Sequence, residues 1–407
     1  MELLQAKEIV VEAGKQLVAT GLIARTWGNV SCRVSDTQFV ITPSGRDYLS
    51  LTPDDIVVVN LEDLSYEGDI KPSSEKGLHA QCYILRKDCN FVIHTHQANA
   101  SIVSAIGCDV NGIKGYSKDI IGDNIPVAAY GLPGTGKLRK GVVGALNRSD
   151  SKAVIMRHHG AVCLGADYDD AFKVANEVEK VCAEFIYNKY NEVTGKTTDT
   201  FKDVFNYVAD LKKRADSPAA KLNAYDSIRI DDAVILSDKE GEVVATVGLF
   251  GKKDELITGD KYPSEADLHR AIYQKREDLG AIIHSQEDAI VASSKIGKTL
   301  KPLLDDFAQI VGVTVKCAEF DPNDTLKSSK KVAKKLSKKG TNAVLLKDNG
   351  AVCCGSNKDE AQAAEMVMEK NCKSVVSGEL FGSPKAIGKI DSVLMNVIYR
   401  VKYSKQK

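Results

Sequence analysis

His94 and His96 are separated by one residue, and in an extended chain side chains two positions apart face the same way. Phe91-Val92-Ile93, directly before them, supplies such a strand. Two imidazoles on one face are half a metal site, because a catalytic zinc takes three protein ligands and keeps a further position open to substrate. His79, His158 and His159 are the candidates for the third nitrogen. Glu75, a carboxylic acid suited to moving protons, follows Pro72-Ser73-Ser74, a turn whose hydroxyls and backbone N–H groups suit an anion. Ser74-Glu75 is equally an ordinary helix cap with an acid in the first turn.

The chain repeats itself, and the repeat sorts these candidates. Glu75 and Glu265, His94 and His284, and His159 and Asn349 each stand 190 positions apart. Self-similarity at a fixed register marks one unit copied in tandem. On the second pass His96 becomes Gln286 and His159 becomes Asn349, whereas His79 recurs as His269. Ligands lost together point to His94, His96 and His159 as one metal set in the first half. Persistence of His79 in the half without that set points to a structural role. His158 is expected to turn to the opposite face. Gly28-Asn29 and Thr42-Pro43-Ser44-Gly45 are further small-residue turns of the anion-holding kind, and no clear Ser-Gly counterpart follows the corresponding strand of the second half.

The elements that must position these groups are legible in outline. Leu3, Leu4, Ile9, Val10, Leu17 and Val18 recur at helical spacing before Gly21. Short β-branched runs at 39–42, 56–59, 91–93 and 153–156 read as strands, with helical stretches near 76–87 and 168–190 between them. Strand-like runs resume at 233–236, 243–247, 281–283 and 343–346. At 407 residues the chain accommodates two domains, 1–212 and 221–407, joined by a linker over Lys212–Ala220. Gly131-Leu-Pro-Gly-Thr-Gly136-Lys137 nearly matches a nucleotide phosphate loop, but Leu138 replaces the hydroxyl residue that would bind magnesium, so a strand-to-helix turn is expected. The lysine-rich stretch 327–339 keeps an apolar stripe of Val332, Ala333 and Leu336 and reads as a surface helix.

Equal numbers of basic and acidic residues, 55 each, argue against bulk binding to nucleic acid or a membrane surface. The ten cysteines form no C-x-x-C pair, the N-terminal residues lack the pattern of a signal peptide, and no apolar run approaches the roughly 20 residues that span a bilayer. A cytoplasmic protein with reduced thiols is expected.

Trp27-Gly28-Asn29-Val30-Ser31, Thr42-Pro43-Ser44-Gly45, Pro72-Ser73-Ser74-Glu75, His94-Thr95-His96 and His159-Gly160 resemble, in order, the motifs of the class II aldolase/adducin family. Residues 220–407 resemble a degenerate copy. The resemblance implies an α/β fold of two tandem α/β/α sandwiches, each around a mainly antiparallel sheet. It implies a divalent metal on His94, His96 and His159, usually Zn2+, with Mn2+ or Co2+ as alternatives. It implies a sugar phosphate held by Gly28, Asn29, Ser44, Gly45, Ser73 and Ser74, with Glu75 as acid and base. The implied activity is cleavage of a ketose 1-phosphate to dihydroxyacetone phosphate and an aldehyde. Epimerisation at C4, dehydration and decarboxylation use the same kind of site, and adducin-type heads keep the fold as a scaffold without the ligands. The family's aldolases also use a tyrosine from an adjacent subunit, for which Tyr116 is the candidate; its counterpart at the 190 offset is Asp306. A homo-oligomer is implied, with a dimer of fused halves forming a pseudo-tetramer.

Overall fold

The computed structural model describes residues 1–23, 27–213, 221–252 and 254–403. The chain divides into two compact units, Met1–Thr197 and Thr198–Lys405. Beyond Lys213 the expected linker lies outside the described residues.

The first unit runs α1 (Leu3–Ala19), β1 (Asn29–Arg33), β2 (Gln38–Ile41), β3 (Val57–Asn60), α2 (Lys76–Leu85), β4 (Phe91–Thr95), α3 (Ala98–Ile106), β5 (Val110–Asn111), α4 (Gly115–Ile121), β6 (Asn124–Ile125), β7 (Val127–Ala128), α5 (Gly136–Asn147), β8 (Ala153–Met156), β9 (Gly160–Gly165) and α6 (Tyr168–Thr194). Its main sheet has the order β3-β2-β1-β4-β9-β8-β7, antiparallel at every pairing except β7 with β8. Alternation along each strand sends one set of side chains to each face. Phe39, Ile41, Val92, Val154 and Val162 pack under α2 and α5 with Leu78, Tyr83, Leu138 and Val142. Helices α1, α3 and α6 lie against the sheet on its other side. The result is the expected three-layer sandwich with a mainly antiparallel sheet. The near-nucleotide loop is the start of α5, with the Thr135 hydroxyl accepting from the Leu138 N–H as a cap.

The second unit runs α7 (Phe201–Lys212), β10 (Asp226–Ile230), β11 (Ala233–Ser237), β12 (Val243–Gly248), β13 (Leu256–Gly259), α8 (Ala266–Lys275), β14 (Ala281–Ser285), α9 (Asp288–Ile296), β15 (Cys317–Ala318), α10 (Thr325–Lys335), β16 (Ala343–Leu346), β17 (Ala351–Gly355), α11 (Lys358–Gly378) and α12 (Lys389–Ile398). Its sheet, β13-β12-β11-β10-β14-β17-β16-β15, repeats the first unit's plan with one further strand, β13, at the edge. Helix α7, which a boundary at residue 212 would assign to the first half, packs on α9 and α11 of the second through Val204, Phe205 and Val208. Helix α10 buries Val332 and Ala333 and turns its lysines outward, the surface helix expected of that stretch. Among the described residues no helix is long and apolar enough to cross a membrane.

Candidate metal centre

Strand β4 carries Val92 and His94 toward α2, and His96 continues just past its end. The β8–β9 hairpin turns through Arg157, His158 and His159, with Met156 opposite Gly160. His158 takes the left-handed conformation, φ 63°, and the His159 N–H donates to the Met156 carbonyl at 3.0 Å. That tight turn delivers His159 to His94. A Cβ on Gly160 would lie 2.1 Å from the Thr95 carbonyl oxygen and 3.3 Å from the His94 ring, so a glycine is what lets the hairpin close there.

The ligand atoms of His94, His96 and His159 all lie within 4.8 Å of one another. The Nε2 atoms of His94 and His96 are 3.1 Å apart, and the rings of His94 and His159 stack with centroids 4.9 Å apart. His94 Nδ1 donates to the Ala161 carbonyl at 2.9 Å, which turns Nε2 inward, the arrangement by which an outer carbonyl orients a metal-binding imidazole. Three imidazoles around one small space fit a borderline divalent ion such as zinc. His158 instead meets Tyr130 edge-on, with centroids 5.3 Å apart.

Glu75 stands at the N-cap position of α2, with its side chain making no bond to the helix end, and is buried. Its Oε2 lies 3.4 Å from His94 Nε2 and its Oε1 3.3 Å from His159 Nε2. The Asn29 amide donates to Oε2 at 2.9 Å. Burial pushes the Glu75 carboxyl upward, but the positive field of His94 and His159 and the amide of Asn29 outweigh it and hold the group well below the usual carboxylate range. The acid is therefore poised in its ionised form against the three histidines.

The six residues expected to hold phosphate gather at the same end of the sheet. The Ser73 N–H donates to the Thr42 carbonyl at 3.0 Å and the Ser44 N–H to the Lys71 carbonyl at 2.9 Å, stitching the two turns together. Ser44, Gly45 and Ser74 are exposed, whereas Ser73 is buried and its hydroxyl accepts from the Glu75 N–H at 3.2 Å. Gly28, at φ 118°, passes so close to β4 that a Cβ would lie 2.6 Å from the His94 carbonyl oxygen. Asn29 faces His94 in the β1–β4 register, and its side chain is spent between Glu75 and His79. Tyr116, 61% exposed in the first turn of α4, is not among the groups that touch the histidines. Ser31, which bonds to His79 from behind, and Tyr83, which bonds to Ser31, have no role legible in the sequence; the recurrence of His79 as His269 is the available signal.

The corresponding place in the second unit is filled by its own chain. Glu265 Oε1 accepts from the backbone N–H groups of Asn223 and Ala224 at 2.7 and 3.0 Å, and Asn349 Oδ1 accepts from the Leu222 N–H at 2.9 Å. His284 gives its Nε2 to the Asn349 carbonyl at 2.7 Å, the nitrogen that His94 turns inward. Gln286 is exposed, and Asp306 is buried in an ion pair with Lys370. Gly350 survives for the same steric reason as Gly160, since a Cβ there would lie 2.1 Å from the Ser285 carbonyl oxygen.

A family model described as Class II Aldolase and Adducin N-terminal domain matches residues 8–186 and again residues 222–376. The chain belongs to that family. A 5-deoxy-D-ribulose 1-phosphate aldolase of Bacillus thuringiensis serovar kurstaki is 33% identical over 46% of this chain and 86% of its own length. An L-fuculose phosphate aldolase of Escherichia coli strain K12 is 33% identical over 42% of this chain and 77% of its own length. Among solved structures, the L-fuculose-1-phosphate aldolase of Thermus thermophilus is 25% identical, with a TM-score of 0.41, covering 47% of this chain and 98% of its own. Within the class II aldolase family, then, the two matched regions fall one in each of the two units, and the clustered histidines lie in the first.

Proposed function

We propose that the first unit is a divalent-metal-dependent aldolase that splits a ketose 1-phosphate into dihydroxyacetone phosphate and an aldehyde, with zinc the ion the donor set suits best and Mn2+ or Co2+ the alternatives. The observation that supports it is a buried carboxylate, Glu75, within 3.3 and 3.4 Å of ring nitrogens on two of three clustered histidines. A divalent ion on that set would supply Lewis acidity toward the carbonyl and hydroxyl oxygens of the ketose. His94, His96 and His159 hold the ion, and Ala161 fixes the ring of His94. Glu75, ionised and held at Oε2 by Asn29, acts as acid and base. As the C3–C4 bond breaks, its electron pair moves toward the C2 carbonyl, the C4 hydroxyl loses its proton to become the aldehyde, and C3 gains one. The Ser44 and Ser73 N–H groups stitch the two turns together, which leaves the Gly45 and Ser74 N–H groups and the exposed Ser44 and Ser74 hydroxyls to meet the phosphate at the N-terminus of α2. The relatives' substrates order the screen: 5-deoxyribulose 1-phosphate first, fuculose 1-phosphate second.

The proposal includes a homo-oligomer in which the exposed Tyr116 serves the site of another subunit. Metal analysis of the purified chain, beside His159→Asn, tests the centre, and a coupled assay for dihydroxyacetone phosphate tests the reaction. About one ion per chain, lost in the variant together with cleavage, is the expected result. A chain that holds no divalent ion and cleaves neither ketose returns the first unit to the scaffold reading.

A further inference from the structure

Four side chains lead through the core of the first unit to Glu75. The Tyr83 hydroxyl lies 2.6 Å from Ser31 Oγ, Ser31 Oγ lies 2.6 Å from His79 Nδ1, His79 Nε2 bonds to Asn29 Oδ1, and Asn29 Nδ2 lies 2.9 Å from Glu75 Oε2. The direction of every bond follows from the last. The Asn29 NH2 group donates to Glu75 Oε2, so its carbonyl oxygen is the atom that faces His79. That oxygen only accepts, so His79 carries its proton on Nε2. Full burial lowers His79 to about 3, so the ring is neutral and Nδ1 is an acceptor, filled by the Ser31 hydroxyl. The Ser31 oxygen then accepts from Tyr83. Each donor points to the next member, and the last, the Asn29 amide, donates to Glu75 Oε2, which leaves Oε1 facing His159.

The second unit shows what the chain of bonds becomes when it no longer serves a site. Ser227, His269 and Tyr273 repeat the inner three members, with the His269 Nδ1 contact at 2.7 Å and the tyrosine contact at 3.0 Å. Tyr225 stands two residues before Ser227, where Asn29 stands two before Ser31. Among the described residues His269 Nε2 meets no polar partner, and Glu265 turns instead to the backbone of Asn223 and Ala224. The triad survives as a piece of core; the link to the glutamate does not.

We propose that His79 is a positioning residue: acting through Asn29, it fixes the orientation of the Glu75 carboxylate so that Oε2 is held and Oε1 is the oxygen that exchanges the proton. This rests on the aldolase reading of the first unit. Asn29 alone has an amide that can turn over, and a turned amide would set its oxygen against the carboxylate. The Nε2–H of His79 forbids that turn, because the NH2 group would then meet another donor. The fixed tautomer is thus converted into a fixed carboxylate.

His79→Leu, His79→Gln and His269→Leu, made in the full chain and assayed with 5-deoxyribulose 1-phosphate, test the proposal. His79→Leu is expected to lower kcat by about 10- to 100-fold, the usual range for an outer partner of a metal site, with KM and metal content close to wild type. His79→Gln is expected to recover most of that loss, since its amide accepts from Ser31 and donates to Asn29. His269→Leu is expected to lower Tm as His79→Leu does while leaving kcat unchanged. A His79→Leu enzyme with wild-type kcat, a glutamine variant no better than leucine, or an equal kcat loss in His269→Leu would each overturn the proposal. Should His79→Leu not fold, the ring tautomer decides: nitrogen NMR of labelled histidine in the wild-type chain should show His79 protonated on Nε2, and protonation on Nδ1 refutes it. A wild type that cleaves no ketose phosphate sinks the aldolase reading instead, and the tautomer then decides the bond chain alone.

Discussion

Glu75 keeps company with the histidines through its charge as much as its shape, since two ring nitrogens and the Asn29 amide converge on its carboxylate. Glu75→Gln preserves the size and an acceptor for Asn29 but removes the base. Turnover of the best ketose phosphate is expected to fall by about 10²–10⁴-fold, with metal content unchanged by mass spectrometry; retained turnover would remove Glu75 from the proton's path. His159→Asn copies the substitution the second unit already carries at Asn349, and there that side chain accepts from the Leu222 N–H. Loss of the ion and of turnover together is expected, because two imidazoles remain where three are needed. At this scale the sequence was informative: His94, His96 and His159 converge as their types and spacing promised, and His158 turns away. The role of Asn29 was not legible, because which group an amide side chain meets depends on His79 and Glu75 arriving from a different element.

At the scale of elements the site depends on close passage of backbones. The β8–β9 hairpin brings His159 to His94 only because Gly160 lacks a side chain where the Thr95 carbonyl passes. Gly160→Ala is expected to cost about 1–3 kcal/mol through overpacking and to lower metal occupancy, read by denaturant unfolding and metal analysis. Full occupancy at unchanged stability would show that the hairpin can shift without losing the ligand. The β-branched runs found β2, β3, β4, β8, β11, β12, β14 and β16 within a residue or two. They did not single out β1, β9, β10 or β17, the strands that flank the histidine-bearing ones. Asn29–Arg33 is polar at alternate places and Gly160–Gly165 is bounded by glycines, so neither carries a strong local signal; pairing with β4 is what makes them strands.

At the scale of the molecule the two units keep one plan and divide its use. Adding Gln286→His and Asn349→His to the second unit is expected to leave metal content at about one ion per chain, because His284 Nε2 is spent on the backbone carbonyl at position 349 and Glu265 on the N–H groups of Asn223 and Ala224. Two ions per chain would show that those two positions alone silenced it. Acid lability is a second expectation. Burial lowers His79 and His269 to about 3 and His284 to about 4, from 6.5. Unfolding lets each take a proton that the folded state refuses, so the stability they contribute is present above about pH 6.5 and is lost as pH falls toward 3. At pH 5 the loss is about 2 kcal/mol for each of them, and Tm should drop steeply between pH 7 and pH 5; a flat profile would mean these rings are protonated in the fold. Type, spacing and internal repetition pointed, from the sequence alone, to a sheet covered by helices, to His94, His96 and His159 as one set and to the loss of two of its members in the second copy, because each is written in local period or in the comparison of one half with the other; the three-layer sandwich was implied by the family resemblance. Tertiary structure decided that α7 packs with the second unit, that backbone N–H groups fill the corresponding place there, and that the Asn29 amide meets Glu75. Those outcomes rest on contacts between residues far apart in the chain, where no periodicity records which groups will meet.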